Sequence, residues 1–368
     1  MRVISGREYT PESPLPAALK GDGTRPLLYV NSDLGTARMN TDGSGAQTIV
    51  TEATQETIFP TWSSDGSRIG LLKTSITQED PGNLRVNQAF ITLVLVTDAN
   101  GGNPREIYRT AGAPGFHPIP YDPVNPEKPA LDVEIKALDW SPDTKSLALS
   151  ICATQRYYSG AVNDSICWVE LREIATGSLI YKADRLGRAN WSSTNRLLAE
   201  TIDGYDNRAT GIWQIDLNAN PPVETLVIPG ADLIALRVDR FPTWSPDGAQ
   251  FVTSRDVSGY SYYSDGSRNF HKVIMLFDQG NPVGRTLMVA DQGSTPANFT
   301  WSPDGKYVLY SLNQGDDSDV WWLDVATGAT GKVTTDGKSI AANWRPTCVG
   351  ALCNTASTHK LYVPAVTR

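Results

Sequence analysis

The chain has 368 residues, 40% hydrophobic and 20% charged, proportions that fit a soluble globular protein. No run approaches 18 apolar residues, which excludes a transmembrane helix. The net charge of −8 argues against a nucleic-acid backbone as partner.

Residues 1–24 are polar and contain Gly and Pro without periodic pattern, so an extended arm is expected there, with no apolar core of signal-peptide length. The stretch "PLLYVNSDLGTARMNTDGSGAQTIV" (26–50) has the alternation of three short strands. Next comes "FPTWSSDGSRIGLL" (59–72), an apolar run ending in Trp and followed by a turn sequence. That unit recurs at 137–150, 188–200, 241–254 and 298–311, with a degenerate copy, "AANWRPTCVG", at 341–350. The six tryptophans, Trp62, Trp140, Trp191, Trp244, Trp301 and Trp344, lie 78, 51, 53, 57 and 43 residues apart. Such spacing marks an array of supersecondary units; a single active-site motif would not recur six times.

One copy shows the unit. In "NFTWSPDGKYVLYSLNQGDDSDVWWLDVATGATGKVTTDGKS" an apolar strand ends at Trp301, and Ser-Pro-Asp-Gly supplies a tight turn. Pro pre-sets φ at the second turn position, and Gly suits the fourth. "KYVLYSL" and "DVWWLDV" read as the second and third strands, "ATGATG" as a turn and "KVTT" as a fourth strand. Four antiparallel strands without a helix make a propeller blade. Trp-Ser-Pro-Asp-Gly before an apolar strand, with a later Asp-x-x-Thr-Gly or Asp-Gly-Ser-Gly turn, resembles the TolB-type propeller repeat over residues 25–345.

The expected fold is therefore all-β, a six-bladed β-propeller of four-stranded antiparallel blades. Residues 26–50 lack an inner strand and "SIAANW" (339–344) lacks the strands that follow one. The two ends are expected to share one blade and close the ring, which removes open edges. Residues 346–368 form a tail beyond the repeat. In each unit the Trp is expected to pack between blades, and Asp65, Asp143, Asp247 and Asp304 to bond backbone within their own turns.

Strand order puts the first-to-second and third-to-fourth turns on one face, where the sequence has short turns. The opposite face receives the insertions at 73–88, 110–131, 152–167, 201–210 and 255–271. Long loops gathered on one face of a rigid scaffold are the usual place for recognition. Candidate contact residues there are His117, Tyr121, Tyr157, Tyr158, Tyr205, Tyr260, Tyr262, Tyr263 and Arg268. Tyrosine offers a large contact area and a hydroxyl at low entropic cost, although the same rings could pack their own loops.

Cys152 with Cys167, and Cys348 with Cys353, suit two local disulfides and an oxidising compartment, with free thiols as the competing reading. A zinc site would call for CxxC spacing, which neither pair has. Only three histidines exist, His117, His271 and His359, and neither GxSxG nor HExxH is present. Oligogalacturonate lyases resemble this repeat but rely on several His ligands for a metal, more than this chain offers. "TIDGYDN" and "QGDDSD" carry carboxylates suited to calcium (Asp203, Asp206, Asp316, Asp317, Asp319) without EF-hand spacing, so no cofactor is expected. The sequons at Asn163, Asn190 and Asn298 include two beside inner strands, where chance explains them better than glycosylation.

These features favour a non-enzymatic, exported binding or scaffold propeller, secreted, surface-bound or periplasmic, with a protein or surface-glycan partner on the long-loop face. A polysaccharide lyase or hydrolase with carboxylates around the channel is the first alternative. The second is a subunit of a cell-surface or filament assembly that docks through its terminal segments.

Overall fold

The computed structural model describes residues 12–20, 24, 26–50, 56–78, 88–110, 130–156, 162–201, 210–230, 239–262, 268–291 and 293–346. Six four-stranded antiparallel sheets form a six-bladed β-propeller. The first blade in chain order combines β1 (Leu27–Asn31), β2 (Gly35–Met39) and β3 (Gln47–Val50) with the last strand, β24 (Ser339–Trp344). Leu27 lies opposite Trp344 and Asn31 opposite Ser339, so the two ends of the repeat close the ring as their incomplete strand sets require. The second blade is β4 (Glu56–Trp62), β5 (Arg68–Gln78), β6 (Gln88–Asp98) and β7 (Arg105–Arg109). The third is β8 (Ala130–Trp140), β9 (Ser146–Arg156), β10 (Val162–Glu173) and β11 (Leu179–Asp184). The fourth is β12 (Gly187–Trp191), β13 (Arg196–Glu200), β14 (Gly211–Asp216) and β15 (Val223–Pro229). The fifth is β16 (Asp239–Trp244), β17 (Gln250–Tyr262), β18 (Arg268–Asp278) and β19 (Arg285–Val289). The sixth is β20 (Ser294–Trp301), β21 (Tyr307–Gln314), β22 (Asp317–Asp324) and β23 (Thr330–Lys332). This last strand begins two residues before the expected "KVTT", because Gly328 takes φ +74° and turns the chain early.

The Ser-Pro-Asp-Gly unit is a self-contained turn. The Ser245 hydroxyl donates to Asp247 Oδ1 (2.6 Å), which also accepts from the Ala249 N–H (3.0 Å), and Ser245 Oγ accepts from the Gln250 N–H (3.0 Å). Asp65, Asp143 and Asp304 repeat the arrangement with Ser63, Ser141 and Ser302. Gly248 sits at φ +69°, open to glycine at no steric cost. In the degenerate "SSTN" copy Asn195 takes that position at φ +58°, as asparagine tolerates, and its Oδ1 accepts from Trp191 Nε1 (3.1 Å).

Trp62, Trp140, Trp191, Trp244 and Trp301 are all buried between blades, each such side chain stabilising the fold by roughly 1.5–3 kcal/mol. Their neighbours along the chain make the seams. Asn343 accepts from the Trp62 N–H (3.0 Å), Thr61 from Trp140 Nε1 (3.1 Å) and Asp139 from the Trp191 N–H (2.6 Å). Asn190 accepts from the Trp244 N–H (2.7 Å), the Thr243 carbonyl from Trp301 Nε1 (3.1 Å) and Thr300 from the Trp344 N–H (3.1 Å). Every seam of the ring is thus tied by a tryptophan and the residue preceding the previous blade's tryptophan.

Residues 12–20 pack across the seam between the sixth and first blades. The Ser13 N–H donates to the Thr330 carbonyl (2.6 Å) on the edge of β23. After a single 3-10 turn at Ala17–Leu19, Leu19 is buried against Tyr29, Trp322 and Val333.

Candidate functional site

Two regions stand out from the repeat. The first is the face opposite the Ser-Pro-Asp-Gly turns. Much of what the sequence suggested as insertion loops is strand: β5 and β6 pair out to Gln78 and Gln88, and β17 and β18 out to Tyr262 and Arg268. The second and third strands are 13 and 11 residues long in the fifth blade but 5 and 5 in the first. Among the described residues, β16 pairs with β17 up to Arg255 and β19 with β18 up to Val273, so the described pairing beyond Asp256 and Lys272 is two-stranded. Among the described residues the β5–β6 pairing is likewise two-stranded beyond Ser75 and Ile91. In the third blade β8 accompanies β9 to its end, with Ala130 opposite Arg156. In the sequence Val-Ser-Gly-Tyr-Ser-Tyr, Val and the two Tyr suit a pleated strand better than a loop.

Cys152 and Cys167 form a disulfide between directly opposed residues of β9 and β10, with both cysteines buried. It staples the β9–β10 hairpin about midway along its length. Tyr260 and Tyr262 lie on β17, and Arg268, on β18, is paired in register with Tyr262. His117, Tyr121, Tyr157, Tyr158, Tyr205 and Tyr263 lie outside the described residues, as do Cys348 and Cys353.

The second region is the ring centre, which the sequence reading did not single out by residue. A cavity of about 130 Å³ is lined by all six inner strands. Each inner strand carries an irregularity in its pairing near its tryptophan. In four of them the residue three before the Trp takes a left-handed φ: Arg188 (+48°), Phe241 (+56°), Asn298 (+53°) and Ala341 (+54°). All four line the cavity, together with Ala137 of the third blade. A position three residues before each repeated Trp is the sequence signal that would have found them.

Asp139 also lines the cavity, and its oxygens accept from the Trp140 N–H (2.8 Å), the Trp191 N–H (2.6 Å) and Asn190 Nδ2 (2.8 Å). Burial outweighs these three donors and pushes its carboxyl up to about 6. Arg188 stacks on the Phe241 ring (4.1 Å to the centroid) and stands 3.5 Å from Glu200. Glu200 is 1% exposed; its Oε2 accepts from the Phe241 N–H (2.6 Å), while its Oε1 has no hydrogen bond among the described residues. Burial raises its pKa, against the pull of Arg188 and Arg240. Asp239 is held by Arg255 (2.8 Å), and Lys136 by the Glu134 carboxylate.

Among the described residues no group of three or more His, Cys, Asp or Glu is placed to hold a metal ion. Asp319, one of the calcium candidates, gives its oxygens to Lys332, Thr334 and the Gly337 N–H. The sequon at Asn190 has its amide committed to the seam between the third, fourth and fifth blades. No described helix is long and apolar enough to cross a membrane.

No family model matches the chain, and no curated protein matches it. Among solved structures, an oligogalacturonate lyase in complex with manganese is 12% identical, with a TM-score of 0.48 over 82% of this chain and 73% of that one. A chain of a nidogen/laminin complex is 10% identical, with a TM-score of 0.48 over 87% of this chain and 97% of that one. TolB from Acinetobacter baumannii is 12% identical, with a TM-score of 0.33 over 88% and 83%. These likenesses concern the fold alone. The chain is a six-bladed β-propeller whose tryptophan repeat resembles that of TolB-type propellers.

Proposed function

We propose that this protein is an exported binding or scaffold propeller that engages a protein or surface-glycan partner through the face bearing the extended hairpins. The observation that carries the reading is the continuation of β5–β6 and β17–β18 past their described flanking strands as two-stranded ribbons. A two-stranded ribbon is marginal in water and exposes unpaired edges, features that a purely structural blade does without, as the first and sixth blades do. The buried Cys152–Cys167 disulfide supports export, because such bonds persist in oxidising compartments.

Replacing residues 258–270 with Asn-Gly, which closes Val257 and His271 with a two-residue hairpin turn, tests the reading. The ring, including the Asp239–Arg255 pair, is expected to melt as the parent does. Capture on a glycan array or from an extracellular extract is expected to disappear. Retention of every partner by the shortened protein would sink the proposal.

The carbohydrate-active reading has one observation in its favour, a channel carboxyl near 6, in the range that suits acid–base work. Against it, Asp139 is the sole acid among the cavity's described lining residues, whereas glycoside chemistry ordinarily uses two carboxylates. Turnover of acidic polysaccharides that vanishes in Asp139→Asn would establish it.

A further inference from the structure

We infer that the central channel binds a small carboxylate ligand, held by the Arg188 guanidinium together with the Asn298 and Asn343 amides. The unused polar groups of the cavity are almost all donors. A guanidinium carries five N–H donors, yet Arg188 makes no hydrogen bond to any described residue, and its nearest carboxylate is Glu200 at 3.5 Å. The Asn298 amide lines the same cavity without a hydrogen-bond partner among the described residues. Asn343 uses its Oδ1 for the Trp62 N–H, and its Nδ2 has no hydrogen bond among the described residues. A ligand rich in acceptors is what this set lacks.

The charges select an anion over a neutral acceptor. Asp239 is neutralised by Arg255 and Glu134 by Lys136, while Asp139 is already saturated by three N–H donors. Around Glu200 stand the Arg188 and Arg240 guanidiniums and the Asp239 carboxylate, which Arg255 already holds. A further carboxylate would balance Arg188 and Arg240, and the planar fork of Arg188 matches carboxylate geometry bidentately. Shape sets the size. Arg188, Phe241 and Asn298 stand on three consecutive blades between Ala137 and Ala341, and the cavity of about 130 Å³ has room for a compact body resting on Phe241. The site is separate from the hairpin face, and its occupancy is independent of the partner proposed there.

Isothermal titration with glucuronate and benzoate, against glucose and benzyl alcohol as uncharged counterparts, tests the assignment. Saturable 1:1 binding of at least one carboxylate is expected, at least about tenfold tighter than its counterpart. Glucuronate against benzoate separates a sugar acid from an aromatic one. Asn298→Asp keeps a residue that tolerates the left-handed φ while adding a negative charge, and should weaken binding about tenfold or more without lowering the melting temperature. Arg188→Lys keeps the charge and removes the fork, with a similar loss expected; if that variant fails to fold, Asn298→Asp decides alone. The protein with residues 258–270 replaced should bind as the parent does. Absence of carboxylate binding at roughly 10 mM, equal binding of the uncharged counterpart, or unchanged affinity in folded Asn298→Asp overturns the inference.

Discussion

At the position before each inner-strand tryptophan the chain uses Thr61, Asp139, Asn190, Thr243, Thr300 and Asn343, and Asp139 is the one ionisable member. Its carboxyl is raised by burial to about 6, above its unfolded value, so the folded state takes up a proton more readily than the unfolded state. Stability is therefore expected to rise as the pH falls from 7 through 6 towards 4, by on the order of 2 kcal/mol for a carboxylate partly open to the channel. Asp247 works the other way: the Ser245 hydroxyl and the Ala249 N–H hold its carboxyl below the usual range, so its contribution is present above the unfolded pKa and lost in stronger acid. Asp139→Asn keeps an acceptor for the Trp191 N–H, as Asn190 does for Trp244, and removes the titration. Melting temperatures of that variant should rise less steeply between pH 7 and 5 than the parent's, the remaining slope belonging to groups such as the buried Glu200; an equal slope in both would place the proton elsewhere.

Among the elements, the hairpins decide which face is distinctive. The Cys152–Cys167 bond spans 15 residues and is buried midway along the β9–β10 hairpin. A closed loop of that length constrains the unfolded chain by about 3 kcal/mol. Cys152→Ala/Cys167→Ala is expected to lose about 2–3 kcal/mol in denaturant unfolding and to speed amide exchange in the outer half of the hairpin. A variant as stable and as protected as the parent would show the bond to be dispensable. The hairpins' full extent was hidden in the sequence because Gly, Ser and Asp interrupt them. Gly259 and Ser261 look like loop residues, yet the β17–β18 pairing resumes at Tyr262 and Arg268 after a bulge that absorbs them.

For the whole molecule, closure is the decisive event. β24 supplies the inner strand of the first blade, and its Asn343 and Trp344 tie the seams on both sides. A protein ending at residue 338 would leave β1 without its inner neighbour and two seams open, a loss comparable to the whole net stability of a domain, about 5–15 kcal/mol. No cooperative melt is expected from it, and a synthetic peptide of residues 339–346 should restore one in trans. Cooperative melting without the peptide would mean that the ring tolerates an open blade.

The sequence by itself determined the blade count, the strand register and the closure, because these follow from local rules: a Trp-ended apolar strand, a turn closed by its own Ser and Asp, and period-2 alternation. It also pointed to the face on which the blades are enlarged and to the pairing of Cys152 with Cys167, which lie only 15 residues apart. The channel was decided by tertiary structure alone. Arg188, Phe241 and Asn298 are unremarkable in their own repeats, and they converge only because the ring brings inner strands more than 50 residues apart to a common axis. A single repeat shows which residue precedes a tryptophan; only the closed ring shows what that residue faces.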